Sequence, residues 1–247
     1  MSINSLKITL EYDGAAYHGW QVQPEKRTVQ GELEKAFSLI LGGEIPVTGQ
    51  GRTDAGVHAE GQIAHAVLDS VDVDLEKLRK SLNGLLKPDC TVKELVMVPE
   101  GFHARYDAIA RHYRYQITLE QSPLLRRTHW FVKWKLDVDL IRPAIEMCHG
   151  EHDFGAFCSH SREYAHTRSV VETFTLDEDG TIIIFRIIAN RFLHNMVRRL
   201  IGEMIMLGRG FHGIERFSST LDTPGPATGG LTAPAHALFL EKVVYSE

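Results

Sequence analysis

The order in which hydrophobic periodicity changes along the chain constrains its fold more than any single motif does. Leu6, Ile8, Leu10 and Tyr12 alternate at period two, the pattern of a half-buried strand. Val29, Leu33, Phe37 and Ile40 then recur at helical spacing behind Thr28, a residue suited to cap a helix start, and Gly42 with Gly43 stop that helix. Residues 44–50 and 61–69 read as two further strands around a Gly-rich connection. Asp74 can cap a second helix that places Leu75, Leu78, Leu82 and Leu85 on one face and ends before Pro88. Residues 92–98 return to strand. The order β-α-β-β-α-β is the split βαβ arrangement of ferredoxin-like domains.

From His112 the same order returns with one irregularity. Strands are expected over 112–119 and 131–136, a helix over 139–149, strands over 168–176 and 181–189, a long helix from about 191 to 207, and a last strand over 238–245. The strand near Phe131 is the extra one. The Gly/Pro-rich stretch 223–234 is a loop too long to be idle in a compact domain. The expected fold is therefore α+β, with two ferredoxin-like halves sharing a continuous, mostly antiparallel sheet and helices on one face. The boundary falls between 101 and 107, giving subdomains 1–105 and 106–247.

A chain of 247 residues with 43% hydrophobic and 24% charged residues can bury a core without staples, which excludes global disorder. No apolar run approaches the roughly 18 residues of a membrane-spanning helix, and residues 1–7 lack a targeting pattern. Cys90, Cys148 and Cys158 form no close pair, and their odd number fits a reducing compartment. The expectation is a soluble, untargeted, cytoplasmic protein with no membrane association. A formal charge of -5 argues against coating nucleic acid by bulk electrostatics. Charge is nonetheless uneven: 122–135 holds Arg126, Arg127, Lys133 and Lys135 and no acid, whereas Asp69, Asp72, Asp74 and Glu76 gather elsewhere.

Chemistry concentrates between the two middle strands of the first half. Gly51-Arg52-Thr53-Asp54-Ala55-Gly56-Val57-His58-Ala59 sets one carboxylate among glycines, with an arginine two residues before it and a histidine four after. Thr-Asp-Ala-Gly also makes a good tight turn in which Asp54 bonds its own backbone. A plain hairpin, however, needs only two residues where this chain has nine. Both readings stand on composition alone. Among thirteen histidines, His149 with His152 and His160 with His166 are close in sequence, but His149 and His152 straddle Gly150 and have no third ligand at characteristic metal spacing.

The segment GRTDAGVHA resembles the signature of the tRNA pseudouridine synthase A family. So do Tyr12-Asp13-Gly14, Tyr17-His18-Gly19-Trp20-Gln21, Thr28-Val29-Gln30, Phe102-His103-Ala104-Arg105 and Arg111-His112-Tyr113-Arg114-Tyr115. The segment 150–157, Asn195-Met196-Val197-Arg198 and Ala233-Pro234-Ala235 extend the resemblance along nearly the whole chain. One departure is Ala237, where the family usually has glycine.

The resemblance implies a pseudouridine synthase fold and isomerisation of uridine to pseudouridine in the anticodon stem-loop of tRNA. It assigns Asp54 as the catalytic carboxylate. A carboxylate in a water-poor pocket tends to protonate unless a cation holds it ionised. Arg198 matches the family's active-site arginine; by spacing alone it is a surface residue on a helix that buries Phe192, Met196, Leu200 and Met204. Tyr113 matches the tyrosine that packs against the target base, although it alternates with Tyr115, Ile117 and Leu119 as a core residue does. Arg52 matches the residue that enters the stem as the uridine is extruded, the flipping an enzyme needs to reach a base atom.

The reaction has no redox or phosphoryl step, so no cofactor and no metal is expected. The resemblance also implies a homodimer, with Arg105, Arg126, Arg127 and Lys133 expected to contact tRNA phosphates. The alternative is a non-catalytic ferredoxin-like RNA-binding protein. Asp54 separates the two, because binding does not require it.

Overall fold

Leu6, Ile8 and Leu10 are fully buried while Lys7 and Thr9 between them are only half so, and this alternation runs through the strand β1 (Asn4–Tyr12). The computed structural model describes residues 4–68, 73–223 and 230–246. Asp69, Asp72 and the loop residues 224–229 lie outside this set. The chain divides into two compact units, one of residues up to Ile109 with those from Phe239 on, the other Ala110–Leu238.

In the first unit β1 leads to α1 (Val29–Leu41), β2 (Val47–Gly49), β3 (His58–Leu68), α2 (Leu75–Leu85) and β4 (Cys90–Val98). Local chemistry sets the helix ends. The Thr28 hydroxyl accepts from Gly31 N at 3.3 Å, Asp74 accepts from Lys77 N at 2.9 Å, and Gly42 takes the left-handed φ of 78° that ends α1. β1 lies between β4 and β3, antiparallel to both, and β2 pairs antiparallel with the far half of β3. This is the expected split βαβ order. Leu33, Phe37, Leu78 and Leu82 from the helices are buried with the apolar side chains of β1.

In the second unit β5 (Ala108–Thr118) is followed by β6 (Trp130–Phe131), α3 (Arg142–Met147), β7 (Gly150–Asp153), β8 (Arg168–Asp179), β9 (Ile182–Ala189), α4 (Met196–Gly208) and α5 (Ile214–Thr220). β9 pairs antiparallel with both β5 and β8, and β8 with β7. Four expectations change here. The strand expected over 131–136 is β6 alone, two residues parallel to the end of β5. The helix expected over 139–149 is split: a 3-10 turn over Val138–Leu140, capped by Asp137, precedes α3, which starts around Pro143 because proline lacks the N–H an earlier turn would need. The long helix begins at Met196 rather than near 191, because Asn195 sits at φ 62° and breaks helical geometry. Finally, β7 and α5, neither of which shows clear periodicity, are present as short elements.

The last strand, β10 (Leu238–Tyr245), was expected to close the second half. It pairs in parallel with β3, a partner that the sequence did not suggest, Phe239 opposite His58 and Leu240 opposite Ala59. β3 starts three residues before the expected Gly61, whose missing side chain is what this pairing needs: a Cβ there would stand 2.6 Å from the Glu241 carbonyl oxygen. Ala237 lies in the 3-10 turn Ala235–Ala237, a backbone open to any L-residue, so the departure from glycine is accommodated. The fold class is α+β with mostly antiparallel strands. Among the described residues no helix is long and apolar enough to cross a membrane. All three cysteines are free and buried, and burial pushes the Cys90 thiol up to about 12.

Candidate active site

Residues 51–57 join the β2 edge to β3, and the backbone on both sides of Asp54 is fixed. Val57 N donates to the Asp54 carbonyl at 3.1 Å, closing the tight turn that the sequence suggested. The buried Thr53 hydroxyl meets the Tyr12 hydroxyl at 2.7 Å, and the Thr53 carbonyl accepts from Trp20 N at 3.1 Å. Gln62, fully buried, donates from Nε2 to the Gly51 carbonyl at 3.2 Å. Main-chain groups therefore close the turn that carries Asp54.

Two segments that no periodicity explains anchor this loop. Gly19, at φ 85°, lets the chain pass so close that a Cβ would stand 2.7 Å from the Thr53 carbonyl, and at Gly14 a Cβ would overlap the Val57 carbonyl. His58 Nδ1 accepts from Gly14 N at 3.2 Å and lies 3.1 Å from Asp13 Oδ1; its ring stacks on Phe239 at 4.7 Å.

Behind them stands a network that sequence reading missed. Arg27 binds Asp89 through both amino groups at 2.7 and 2.8 Å, Tyr17 donates to Asp89 at 2.8 Å, and the guanidinium lies 4.2 Å over the Tyr17 ring. The Arg27 guanidinium holds the Asp89 carboxyl below the usual carboxylate range, while burial pushes the Tyr17 phenol up. The partners lie 62 residues apart, beyond any local pattern.

Arg52 is exposed on this loop, its Nε donating to Gln21 Oε1 at 3.2 Å. Arg105 is exposed in the same unit.

The second unit carries the other expected residues. Tyr113, on β5, is 8% exposed and meets the Phe192 ring edge-on at 5.0 Å. Tyr115 lies on the same face and donates to the Pro234 carbonyl at 2.9 Å; burial pushes its phenol well up, against the pull of the Arg198 charge. Arg198 is in the first turn of α4 and is held at both edges of its guanidinium. Nε donates to the Ala233 carbonyl and Nη1 to Asn195 Oδ1, each at 2.8 Å. The same left-handed Asn195 that delays the helix therefore also orients the arginine. Helical spacing alone makes Arg198 a free surface residue; the structure gives it a fixed plane.

Arg126, Arg127 and Lys133 are exposed, with Arg126 Nη1 donating to the Pro123 carbonyl at 2.7 Å. His149 and His152 serve the fold. His149 Nε2 accepts from Phe174 N at 3.1 Å, and His152 bridges Asp222 at 2.8 Å and the His149 carbonyl at 2.9 Å. The structure thus sets Asp54 and Arg52 on one braced loop, and Arg198, Tyr115 and residues 233–234 in one hydrogen-bonded group with Tyr113 beside Tyr115 on β5.

A sequence profile of the tRNA pseudouridine synthase family matches residues 8–107 and 144–246. Curated relatives extend the match over the whole length. The tRNA pseudouridine synthase A of Geobacter sp. strain M21 is 41% identical over 248 aligned residues, covering 99% of this chain and 100% of its own. That of Bacillus subtilis strain 168 is 37% identical over 245, covering 97% and 98%. Among solved structures, the archaeal box H/ACA sRNP Nop10-Cbf5 complex aligns with 82% of this chain and 43% of its own at 14% identity and a TM-score of 0.37, too remote to bear on the site. The chain belongs to the tRNA pseudouridine synthase family, and the chemistry its residues serve is the isomerisation of uridine in tRNA.

Proposed function

We propose that Asp54 acts on the ribose of a uridine in the tRNA anticodon stem-loop, with Tyr113 against the base and Arg198 and Arg52 holding the substrate. The observation that carries this reading is the loop: a carboxylate flanked by Thr53, Gly51 and Val57, whose backbone groups are each pinned, is oriented before substrate arrives. In the reaction the C1′–N1 bond breaks, the uracil turns, and a C1′–C5 bond forms; the C5 proton leaves and N1 gains one. The balance needs neither oxidant nor water. An ionised carboxylate serves either by adding to C1′ or by taking the C2′ proton in a glycal route, and both need its charge. Arg198, its plane fixed by Ala233 and Asn195, supplies a permanent cation suited to anionic groups. Tyr113, rigid against Phe192, supplies a flat face for a flipped base.

The test is tritium release from C5-labelled uridine in unmodified tRNA. Asp54→Asn keeps the size of the side chain and removes its charge, so turnover should vanish while tRNA binding persists. Measurable turnover in this variant overturns the assignment. Transcripts lacking each anticodon-arm uridine in turn locate the target. Two further readings belong with this one. The protein acts in the cytoplasm, in keeping with three buried free thiols. It acts as a homodimer, because one chain is short relative to the span of a folded tRNA.

A further inference from the structure

The segment between β4 and β5 holds an aromatic ring out in solvent on an unusually well-tied turn. Phe102 N donates to the Pro99 carbonyl at 3.2 Å, His103 N to Asp107 Oδ2 at 2.7 Å, and Asp107 N returns to the His103 carbonyl at 3.1 Å. His103 Nδ1 accepts from Arg105 N at 3.1 Å and Tyr106 N at 3.3 Å. The fully buried Ala104 is gripped from two strands: its N–H donates to His65 Nδ1 at 3.2 Å and its carbonyl accepts from the Tyr245 hydroxyl at 2.7 Å. On this turn Tyr106 is 75% exposed. Its ring lies 4.2 Å from His103 at 32°, and the Arg105 guanidinium is 5.8 Å away. Behind them His103 packs on His65 at 4.8 Å, and Lys7 Nζ sits 5.0 Å over the Tyr245 ring.

Such an aromatic loses little conformational entropy when something lands on it, because the turn and the His103 ring already hold it. The neighbourhood selects what lands. Arg105 and Lys7 supply cations among π-faces; of the nearby acids, Asp107 has an oxygen engaged by the turn, and Glu100 is exposed at the turn's start. Rings interleaved with cations suit a polyanion that carries flat bases.

Position says which base. Lys7 pairs with His65 across β1 and β3, seven residues along β3 from His58 at the Asp54 loop. At about 3.3 Å per residue this puts the turn on the order of 20 Å from the loop, beyond reach of the uridine held there.

We propose that Tyr106, backed by His103 and flanked by Arg105, is a stacking platform for an unpaired base of the tRNA roughly 20 Å from the target uridine. This rests on the tRNA-modifying reading above. Binding of an unmodified tRNA transcript, measured over a salt series, tests it with Tyr106→Ala, Tyr106→Phe and Arg105→Ala. Tyr106→Ala should weaken binding about 5- to 100-fold with an unchanged salt slope, since no charge is removed, and KM should rise in proportion. Tyr106→Phe should recover most of that affinity. Arg105→Ala should flatten the slope. Wild-type affinity in Tyr106→Ala, or equal weakness in the Ala and Phe variants, overturns the platform. So does a changed sedimentation coefficient in Tyr106→Ala without RNA, which would make the ring a protein contact. If wild-type protein forms no pseudouridine in the transcript, the functional reading fails first; if it does and Tyr106→Ala binds normally, only the platform fails.

Discussion

Asp89 shows how a single residue can brace a loop it does not touch in sequence. Its carboxylate ties Arg27 and Tyr17 together, and these hold the segment whose Trp20 N and Gly19 fix the carbonyl of Thr53. The pair is about three-quarters buried, so losing its charge costs about 1.5–3 kcal/mol of stability, the range of a hydrogen bond to a charged group. Arg27 depresses the Asp89 pKa in the folded state. A depressed acid contributes its full stabilisation above its unfolded value, near 4, and loses it as pH falls through the folded value. Asp89→Asn should therefore melt clearly below wild type at pH 7, and the gap should narrow below about pH 4. A gap that persists unchanged to pH 2 would show that charge is not what Asp89 contributes. This residue was invisible in the sequence for the same reason that Thr28 and Asp74 were legible: caps act within three residues, whereas Asp89 acts on a partner 62 away.

At the scale of elements, what local periodicity controls was readable, and what tertiary contact controls was not. β1, α1, α2 and β9 carry their own patterns, and the structure has them where those patterns lie. β10 also has its expected residues, but its pairing with β3 is set by Gly61 and a close backbone approach that no window of the sequence contains. The start of α4 was misplaced because Asn195 breaks a run whose apolar spacing continues through it. The turn around Asp54 was legible as a dense motif, whereas the fixed plane of Arg198 was not, because it depends on residues 230–234 lying along α4.

Gly202 makes that arrangement possible, since a Cβ on it would overlap the Leu231 carbonyl. Gly202→Ala should push this strap away, take the Ala233 carbonyl from Arg198 Nε, and destabilise by about 1–3 kcal/mol. Its kcat should fall toward that of Arg198→Met, with the melting point read alongside. A variant that loses stability but keeps wild-type kcat would separate the strap from the chemistry.

For the whole molecule, the difficulty is that a chain with a formal charge of -5 acts on a polyanion. Mean charge therefore cannot supply the attraction; local clusters must, and their contribution falls steeply with salt as counterions are released. The densest stretch of base without acid is 122–135, where Arg126, Arg127 and Lys133 all stand exposed. If both arginines neutralise phosphates, replacing them together by alanine lowers the slope of log affinity against log salt by roughly one to two. The weakening should be similar for all tRNA sequences, because phosphates carry no base information. Sedimentation of the same variant should report the wild-type oligomer, two chains in the present reading, since charge on an exposed stretch binds RNA without building the subunit contact. An unchanged salt slope would take these arginines out of the RNA-binding surface. A fully active monomer at working concentration would instead remove the dimer, and with it the argument that one chain is too short for its substrate.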